Sequence, residues 1–306
     1  MSRSEPTLAD WVHASRLRTL PLALSTIITG AALVIDHHPE NFSLPIFILT
    51  IWTTILLQIL SNWANDFGDF THGTDDETRL GPMRSMQSGR ISVLQMRSAI
   101  VILAITCLVS GLVLLYCSGI LLSLSGFLFI CFGLLAIWAA IRYTAGQNPY
   151  GYAGWGDLAV FIFFGLLGVL GSSYLHLKSI PLTLHVLPAS SMGFLSAAVL
   201  NLNNMRDAKD DRHKGKTTMA VRLGAYTSKI YHACLISFGL ISMIIYSILS
   251  YESPLDFLYL VISPVLLLHV IQVFKVETSR DLDPELKKVA LSTFFMSVLL
   301  FIAQIL

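Results

Sequence analysis

The chain has 306 residues, of which 54% are hydrophobic and 13% charged, against about a quarter charged in soluble domains. That balance excludes an ordinary soluble enzyme and calls for a lipid bilayer around the protein. The formal net charge of +1 says nothing about partners by itself, and no nucleic-acid partner is expected.

A hydrocarbon core is crossed by roughly 20 apolar residues, and nine such runs are present, at about 17–35, 44–63, 97–116, 119–141, 156–175, 186–205, 230–249, 256–273 and 288–306. The expectation is an all-α polytopic membrane protein, nine transmembrane helices in one bundle, with residues 1–306 forming a single domain. The first run contains Pro21 and follows Arg16 and Arg18 as a signal peptide would, but no small-x-small site precedes a soluble domain. With the N-terminus in the cytoplasm and the C-terminus outside, every Lys and Arg except Lys178 falls on the cytoplasmic side, the positive-inside pattern. All acids but Asp36, Glu40, Glu252 and Asp256 fall there too. Acids contribute little to topology, so their accumulation on one face points to chemistry.

The second run ends in Ser61-Asn-Trp-Ala-Asn-Asp-Phe-Gly-Asp-Phe-Thr-His-Gly-Thr-Asp-Asp-Glu77. Read as a helix, this places Asn62, Asp66 and Asp69 at i, i+4 and i+7 on one face. Gly68 and Gly73 are expected to loosen or end that helix, leaving Asp75, Asp76 and Glu77 in a loop. The third run leads into Cys117, and the third cytoplasmic connection carries Arg142, Tyr143, Tyr150, Tyr152 and Asp157. Arg142 is equally readable as a snorkelling helix-end residue, the tyrosines as interfacial anchors and Asp157 as a helix cap. The sixth run ends in Asn204, Asp207 and Asp211 at i, i+3 and i+7, an echo of the first motif 141 residues on, as in folds built from repeated bundles.

Carboxylates at this spacing repel near a low-dielectric core unless a cation neutralises them. An all-oxygen set suits magnesium, which takes one or two carboxylates and leaves positions for water and substrate phosphate. Arg79, Arg84, Arg206, Lys209, Lys214 and Lys216 are placed to meet phosphate. The alternative is a solvated surface with helix-end salt bridges, and the pairing of two such motifs argues against it.

At these residues the chain resembles the UbiA superfamily of intramembrane prenyltransferases, whose two aspartate motifs follow helices two and six of nine. Here they are Asn65-Asp-Phe-Gly-Asp69 and Asp207-Ala-Lys-Asp-Asp211. The family's usual third acid of the first motif is Gly73 here, and Asp75 is two residues further on. That shift, with Arg18-Thr-Leu-Pro21, Gly81-Pro-Met-Arg84, Gln87-Ser-Gly89, Tyr143 to Tyr152, Gly156-Asp157 and Asn203 to Asp207, is similar to the branch acting on 1,4-dihydroxy-2-naphthoate. The matching segments run from about residue 16 to 224; the last three spans add only hydrophobicity.

The resemblance implies transfer of a polyprenyl chain from polyprenyl diphosphate to that acceptor with loss of its carboxylate, in a bacterial cytoplasmic (inner) membrane, with the active site at the cytoplasmic end of the bundle. It implies Mg2+ held by Asp66, Asp69, Asp207 and Asp211, with Asp75 as a candidate fifth ligand. Asn62, Asn65, Arg84, Lys209 and Lys216 become candidates for gripping diphosphate, and Arg142, Tyr143 and Tyr150 for anchoring the acceptor.

Another aromatic acceptor, 4-hydroxybenzoate or homogentisate, is the rival within the family. A cation-coupled transporter is the rival outside it, and it would need ionisable groups near span centres. Gly215-Lys-Thr-Thr218 imitates the end of a phosphate-binding loop, but the glycine required five residues earlier is Asp210. His37, His38, His176 and His185 are expected as a solvated outer rim, His72 as at most a general base, and the four cysteines as packing residues.

Overall fold

The computed structural model describes residues 5–74, 83–179 and 183–306. Among these residues there is no strand, and nine segments are long and apolar enough to cross a membrane: α1 Leu8–His37, α2 Leu44–Thr71, α3 Val93–Cys117, α4 Leu124–Arg142, α5 Gly156–Leu177, α6 Thr183–His213, α7 Ala225–Leu249, α8 Pro254–Lys275 and α9 Ser279–Ala303. Local chemistry sets several starts. Ser92 and Gln95 form a reciprocal capping box at α3, and the Ser123 hydroxyl accepts from the Gly126 amide at α4; each satisfies amides that helix ends leave without partners.

α1 is broken. Its first two turns, Leu8–Ser15, end at Arg16, which adopts a left-handed conformation with φ 46°, uncommon outside glycine. The main helix restarts at Leu20 with Pro21 in its first turn, where a missing amide hydrogen costs nothing.

Among the described residues the helices gather around three apolar clusters, the smallest of them joining Ile46 of α2, Leu114 and Leu115 of α3 and Leu175 of α5. Of the two larger clusters, one joins Ala32 and Leu33 of α1 to Val169 of α5, Met192 and Leu195 of α6, Leu240 of α7 and Met296 of α9. The other joins Ala14 to Leu56 and Leu60 of α2 and Met96 and Ile100 of α3. The outward faces stay apolar, as Ile102 and Ile105 on α3 and Phe127 on α4 illustrate, while Ser25, Thr29, Ser173, Ser191 and Ser297 are buried. That inversion is what a lipid solvent selects, since small and hydroxylated residues let helices approach closely.

α5 carries a π-helical stretch, Phe161–Leu170, a rare geometry that changes which side chains face a neighbour. Two glycines show how near the neighbours come. A Cβ at Gly165 would lie 2.6 Å from the Ala189 carbonyl and 2.8 Å from the Gly193 Cα. At Gly30 it would lie 1.9 Å from the Ser172 hydroxyl.

Three expectations are corrected. α2 continues through Gly68 to Thr71; the glycine is there because Thr144 of the next cytoplasmic connection lies 2.4–2.6 Å from where its Cβ would be. Of the four histidines expected as a solvated rim, His38 is exposed and His37 half-buried, but His176 and His185 are buried, His176 accepting from the Ser43 amide at 3.1 Å and His185 stacking on His37 at 5.1 Å. All four cysteines are free thiols, and of them Cys107 alone is buried, so packing explains one.

Candidate active site

Because α2 and α6 each overrun the apolar stretch by about two turns, their last residues stand in a space roofed by two connections, Tyr143–Trp155 and Lys214–Gly224. The roof is knitted by backbone and side chain: the Thr217 amide donates to Tyr152 O at 2.8 Å, and Arg222 Nη2 to Ala153 O at 2.6 Å. Asn62, Asp66 and Asp69 are all buried on the inner face of α2, as the spacing predicts. Asp207 and Asp211 project from the end of α6, Asp211 buried.

Each carboxylate already has a cation of the chain. Arg16 Nη2 donates to Asp66 Oδ1 at 2.7 Å, and Arg84 Nε lies 3.5 Å from the same oxygen. Asp69 takes Arg84 Nη1 and, at 2.9 Å, Lys216 Nζ. Asp207 is held by Nε and Nη2 of the neighbouring Arg206, both at 2.8 Å, and that buried guanidinium also reaches Asp283 at 2.5 Å. Lys216 is the link between the two motifs, since its Nζ is also 3.7 Å from Asp211 Oδ1.

Three residues named from the sequence take roles there that it did not indicate. Tyr152 donates to Asp69 Oδ1 at 2.6 Å, approaches the Thr74 hydroxyl at 3.1 Å, and lies with its ring 4.4 Å beneath Lys216 Nζ. Burial, then the Asp69 carboxylate, raises its phenol above the ordinary range. Arg16 was visible only as a basic residue ahead of the first span. Arg206 was visible as a phosphate candidate and is instead committed to Asp207, Asp283 and Asn203.

The remaining expected residues divide. Asn62 Nδ2 donates to Ser15 O at 2.9 Å and Thr19 Oγ1 at 3.0 Å, so its amide fastens the break in α1 against the acids. Asn65 accepts from Thr144 at 3.2 Å and gives its carbonyl to Arg84 at 3.0 Å. Lys209 is exposed and forms no ion pair among the described residues. Asp75 lies outside the described residues.

Arg142 Nη2 bonds to Gln147 O at 2.7 Å within its own connection, and Tyr150 donates to Ala139 O at 3.0 Å; burial pushes the Tyr150 phenol up to about 12. Tyr143 is buried, and its phenol is raised chiefly by burial and further by Asp157, Tyr150, Asp69 and Asp211. Both ring nitrogens of His72 face backbone carbonyls, Gly68 O at 2.8 Å and Gly146 O at 3.1 Å, so the ring is engaged by the chain's own backbone. Asp157 sits in the first turn of α5, whose N-cap is Trp155 without a side-chain cap bond.

The donor set suits a hard divalent cation. Asp66 is 1% exposed, and its Oδ2 has no hydrogen-bond partner among the described residues, a cost that a cation would remove. Among the described residues no three acids, histidines or cysteines lie close enough together to form a metal cluster by themselves, since arginines and lysine stand between the carboxylates.

A sequence model described as the UbiA prenyltransferase family matches residues 23–299. A 1,4-dihydroxy-2-naphthoate octaprenyltransferase of Haemophilus influenzae is 40% identical, covering 95% of this chain and 94% of the relative. One of Escherichia coli is 41% identical, over 90% of this chain and 86% of the relative. Among solved structures, an apo UbiA homolog from Aeropyrum pernix superposes with a TM-score of 0.67 at 15% identity, covering 92% of this chain and 96% of that one. A UbiA homolog from Archaeoglobus fulgidus bound to GPP and Mg2+ gives 0.64 at 17%, covering 94% and 97%. At such identities these structures establish the shared fold.

Proposed function

Because the chain belongs to the UbiA prenyltransferase family, we propose that it transfers a polyprenyl chain from polyprenyl diphosphate to 1,4-dihydroxy-2-naphthoate, releasing diphosphate and carbon dioxide. The observation that carries the reading is 40% identity, across 95% of the chain, to a relative bearing that activity's name. The whole chain serves as one catalytic domain in a bacterial cytoplasmic membrane, N-terminus inside; the one-sided placement of Lys and Arg supports that orientation.

Asp66, Asp69, Asp207 and Asp211 are the residues that would hold magnesium, with Asp75 as a further candidate. Bound magnesium supplies charge compensation for the departing diphosphate. Arg84 and Lys216, already poised on Asp69, are the cations that grip diphosphate oxygens. Arg16 joins them as a residue within reach of Asp66. Tyr152 holds Asp69 by its hydroxyl and Lys216 over its ring, which fixes both in direction.

The allylic cation left when diphosphate departs must be kept from water, and the roof of two connections over a membrane-buried site does this. The isoprenoid tail has an apolar exit between helices whose outer faces already meet lipid.

The test incubates membranes containing the protein with magnesium, a long-chain prenyl diphosphate and either 1,4-dihydroxy-2-naphthoate or 4-hydroxybenzoate. Prenylated, decarboxylated naphthoquinol is expected from the first. Product from 4-hydroxybenzoate alone overturns the acceptor assignment.

A further inference from the structure

Near its start, α9 reaches into the second acid motif. Arg206 of α6 is 2% exposed, and a guanidinium taken that far from water persists only where carboxylates and carbonyls accept its N–H groups. Its Nε and Nη2 donate to the two oxygens of Asp207, both at 2.8 Å, Nη2 also to Asn203 Oδ1 at 2.7 Å, and Nη1 to Asp283 Oδ1 at 2.5 Å. Asn203 and Asp207 flank Arg206 on its own helix. Asp283 comes from 77 residues further on, where the α-helical part of α9 begins.

Asp283 is held in place independently of Arg206. Leu282 beside it is 4% exposed and belongs to the largest apolar cluster. Two residues further on, Glu285 is buried, pairs with His269 Nδ1 of α8 and accepts from Lys288 Nζ at 2.6 Å. The start of α9 is thus pinned on both sides of Asp283, which makes this carboxylate a fixed point toward which Arg206 is aimed.

An acid at a helix start has a simpler explanation, since carboxylates favour the positive end of the helix dipole. That explanation covers Asp281, Asp283 and Glu285 alike, and it does not require the contact with Arg206. Asp281 is exposed and accepts from the Thr278 hydroxyl at 2.6 Å, whereas Asp283 turns to a buried cation and pairs with no other among the described residues.

The charge count gives the contact a consequence. Arg206 and Asp207 by themselves are a neutral pair, which attracts a divalent cation only weakly. With Asp283 the three side chains sum to one negative charge. We propose that Asp283 is a positioning residue for the second acid motif: it holds Nη1 of Arg206, fixes the Nε and Nη2 edge toward Asp207, and leaves the group a negative charge in excess for a divalent cation. The inference rests on the reading of Asp207 as a magnesium ligand. It gives the last span a part in the site, where its sequence showed only hydrophobicity.

The experiment is calorimetric titration of magnesium into the purified protein in nanodiscs, without prenyl diphosphate, for the wild type, Asp283→Asn, Asp283→Glu, Asp281→Asn and Asp207→Ala. Asp283→Asn removes the charge but keeps an oxygen that accepts from Nη1, which protects the fold. Because the Asp283 side chain is 38% exposed, the magnesium Kd is expected to rise by a solvent-screened factor of about three to ten. Asp283→Glu restores the charge and should recover most of the affinity. Asp281→Asn removes an equal charge two residues away without touching Arg206 and should leave the Kd unchanged. In membranes, the magnesium concentration for half-maximal activity should move by the same factor in Asp283→Asn, with kcat at saturating magnesium close to that of the wild type.

A wild-type Kd in Asp283→Asn overturns the proposal. An equal rise in Asp281→Asn also overturns it, because the effect would then belong to charge at the helix start rather than to the contact. Asp207→Ala tests the reading beneath: if it binds magnesium as the wild type does, Asp207 is not a ligand and both fail. If it weakens magnesium while Asp283→Asn does not, the positioning role alone fails.

Discussion

Arg16→Gln tests whether the cations on the acids must be exchanged when the site is loaded. Asp66 is 1% exposed and Arg16 meets it at 2.7 Å, so the contact is a buried, charge-assisted hydrogen bond worth about 1.5–3 kcal/mol. A divalent cation that took both Asp66 oxygens would displace that guanidinium, while one seated at Oδ2, unpartnered among the described residues, would still face its charge. The metal's apparent affinity is lowered by the value of the pair, about 10- to 100-fold. Removing the charge should therefore tighten magnesium binding.

Arg84 Nε remains 3.5 Å away, which places the expected gain near the lower bound, about tenfold. The substitution should leave the broken helix in place, because the Asn62 amide and Trp63 Nε1 fasten Ser15 and Thr19 independently. The assay is calorimetric titration of magnesium into purified protein in nanodiscs without prenyl diphosphate. In the same variant the prenyl diphosphate KM should rise about tenfold, the opposite direction. Magnesium binding that is unchanged or weaker in Arg16→Gln refutes the exchange.

Asp66→Ala and Asp207→Ala should each abolish turnover, by a factor on the order of 10³ or more, while the protein still inserts and elutes as wild type; near-normal activity across a range of magnesium concentrations would remove the acids from the site. Gly165→Ala should cost about 1–3 kcal/mol of stability by overpacking, because backbone of α6 stands 2.6–2.8 Å from the new methyl; a thermal midpoint in detergent equal to wild type contradicts this. The Tyr152 phenol, raised by burial and by Asp69, holds its proton above the ordinary value of about 10. Its O–H bond to Asp69 should thus persist through the alkaline range, and Tyr152→Phe should lower kcat/KM without moving the high-pH limb. A limb displaced upward by that substitution would mean that Tyr152 ionises in the working enzyme.

The sequence carries the spans because a run of apolar residues of sufficient length has few other places to go. The reading started the first span at about 17 where the helix begins at Leu8, since Asp10, His13 and Arg16 interrupt hydropathy along two turns that hold one face only. Gly68 is expected to loosen or end α2 together with Gly73, yet the helix passes Gly68 and runs to Thr71, two residues short of Gly73 and its positive φ of 66°. The acids were legible from their i, i+4 recurrence. Their partners were not. Arg16 lies 50 residues before Asp66, Tyr152 lies 83 after Asp69, and Lys216 lies 147 after it. No local period connects such pairs, so only the fold could supply them. The same holds for Arg206 and Asp283, 77 residues apart.

The charges of the site also bear on the order in which it fills. Asp66 faces Arg16, Asp69 faces Arg84 and Lys216, Asp207 faces Arg206, and Asp211 lies 3.7 Å from Lys216. The site is thus close to balanced by its own side chains. A bare magnesium ion entering it strands arginines, and a bare diphosphate strands carboxylates; in a poorly solvated space either excess is penalised. Entering together, the two cancel. On the assignment proposed above, the acids would hold the metal, and Arg16, Arg84 and Lys216 would be left to pair with phosphate oxygens.

The expectation is strong positive coupling: magnesium raises prenyl diphosphate affinity, and prenyl diphosphate raises magnesium affinity by the same factor, as linkage requires. Titrating each in the absence and presence of the other, with the aromatic acceptor withheld, measures it. In Arg16→Gln that factor should change, because the variant relieves the penalty on the metal alone and removes one partner of the phosphate. Independent binding in the wild type, with each affinity indifferent to the other component, would mean that the paired cations are fixtures of the fold rather than charges waiting to be exchanged.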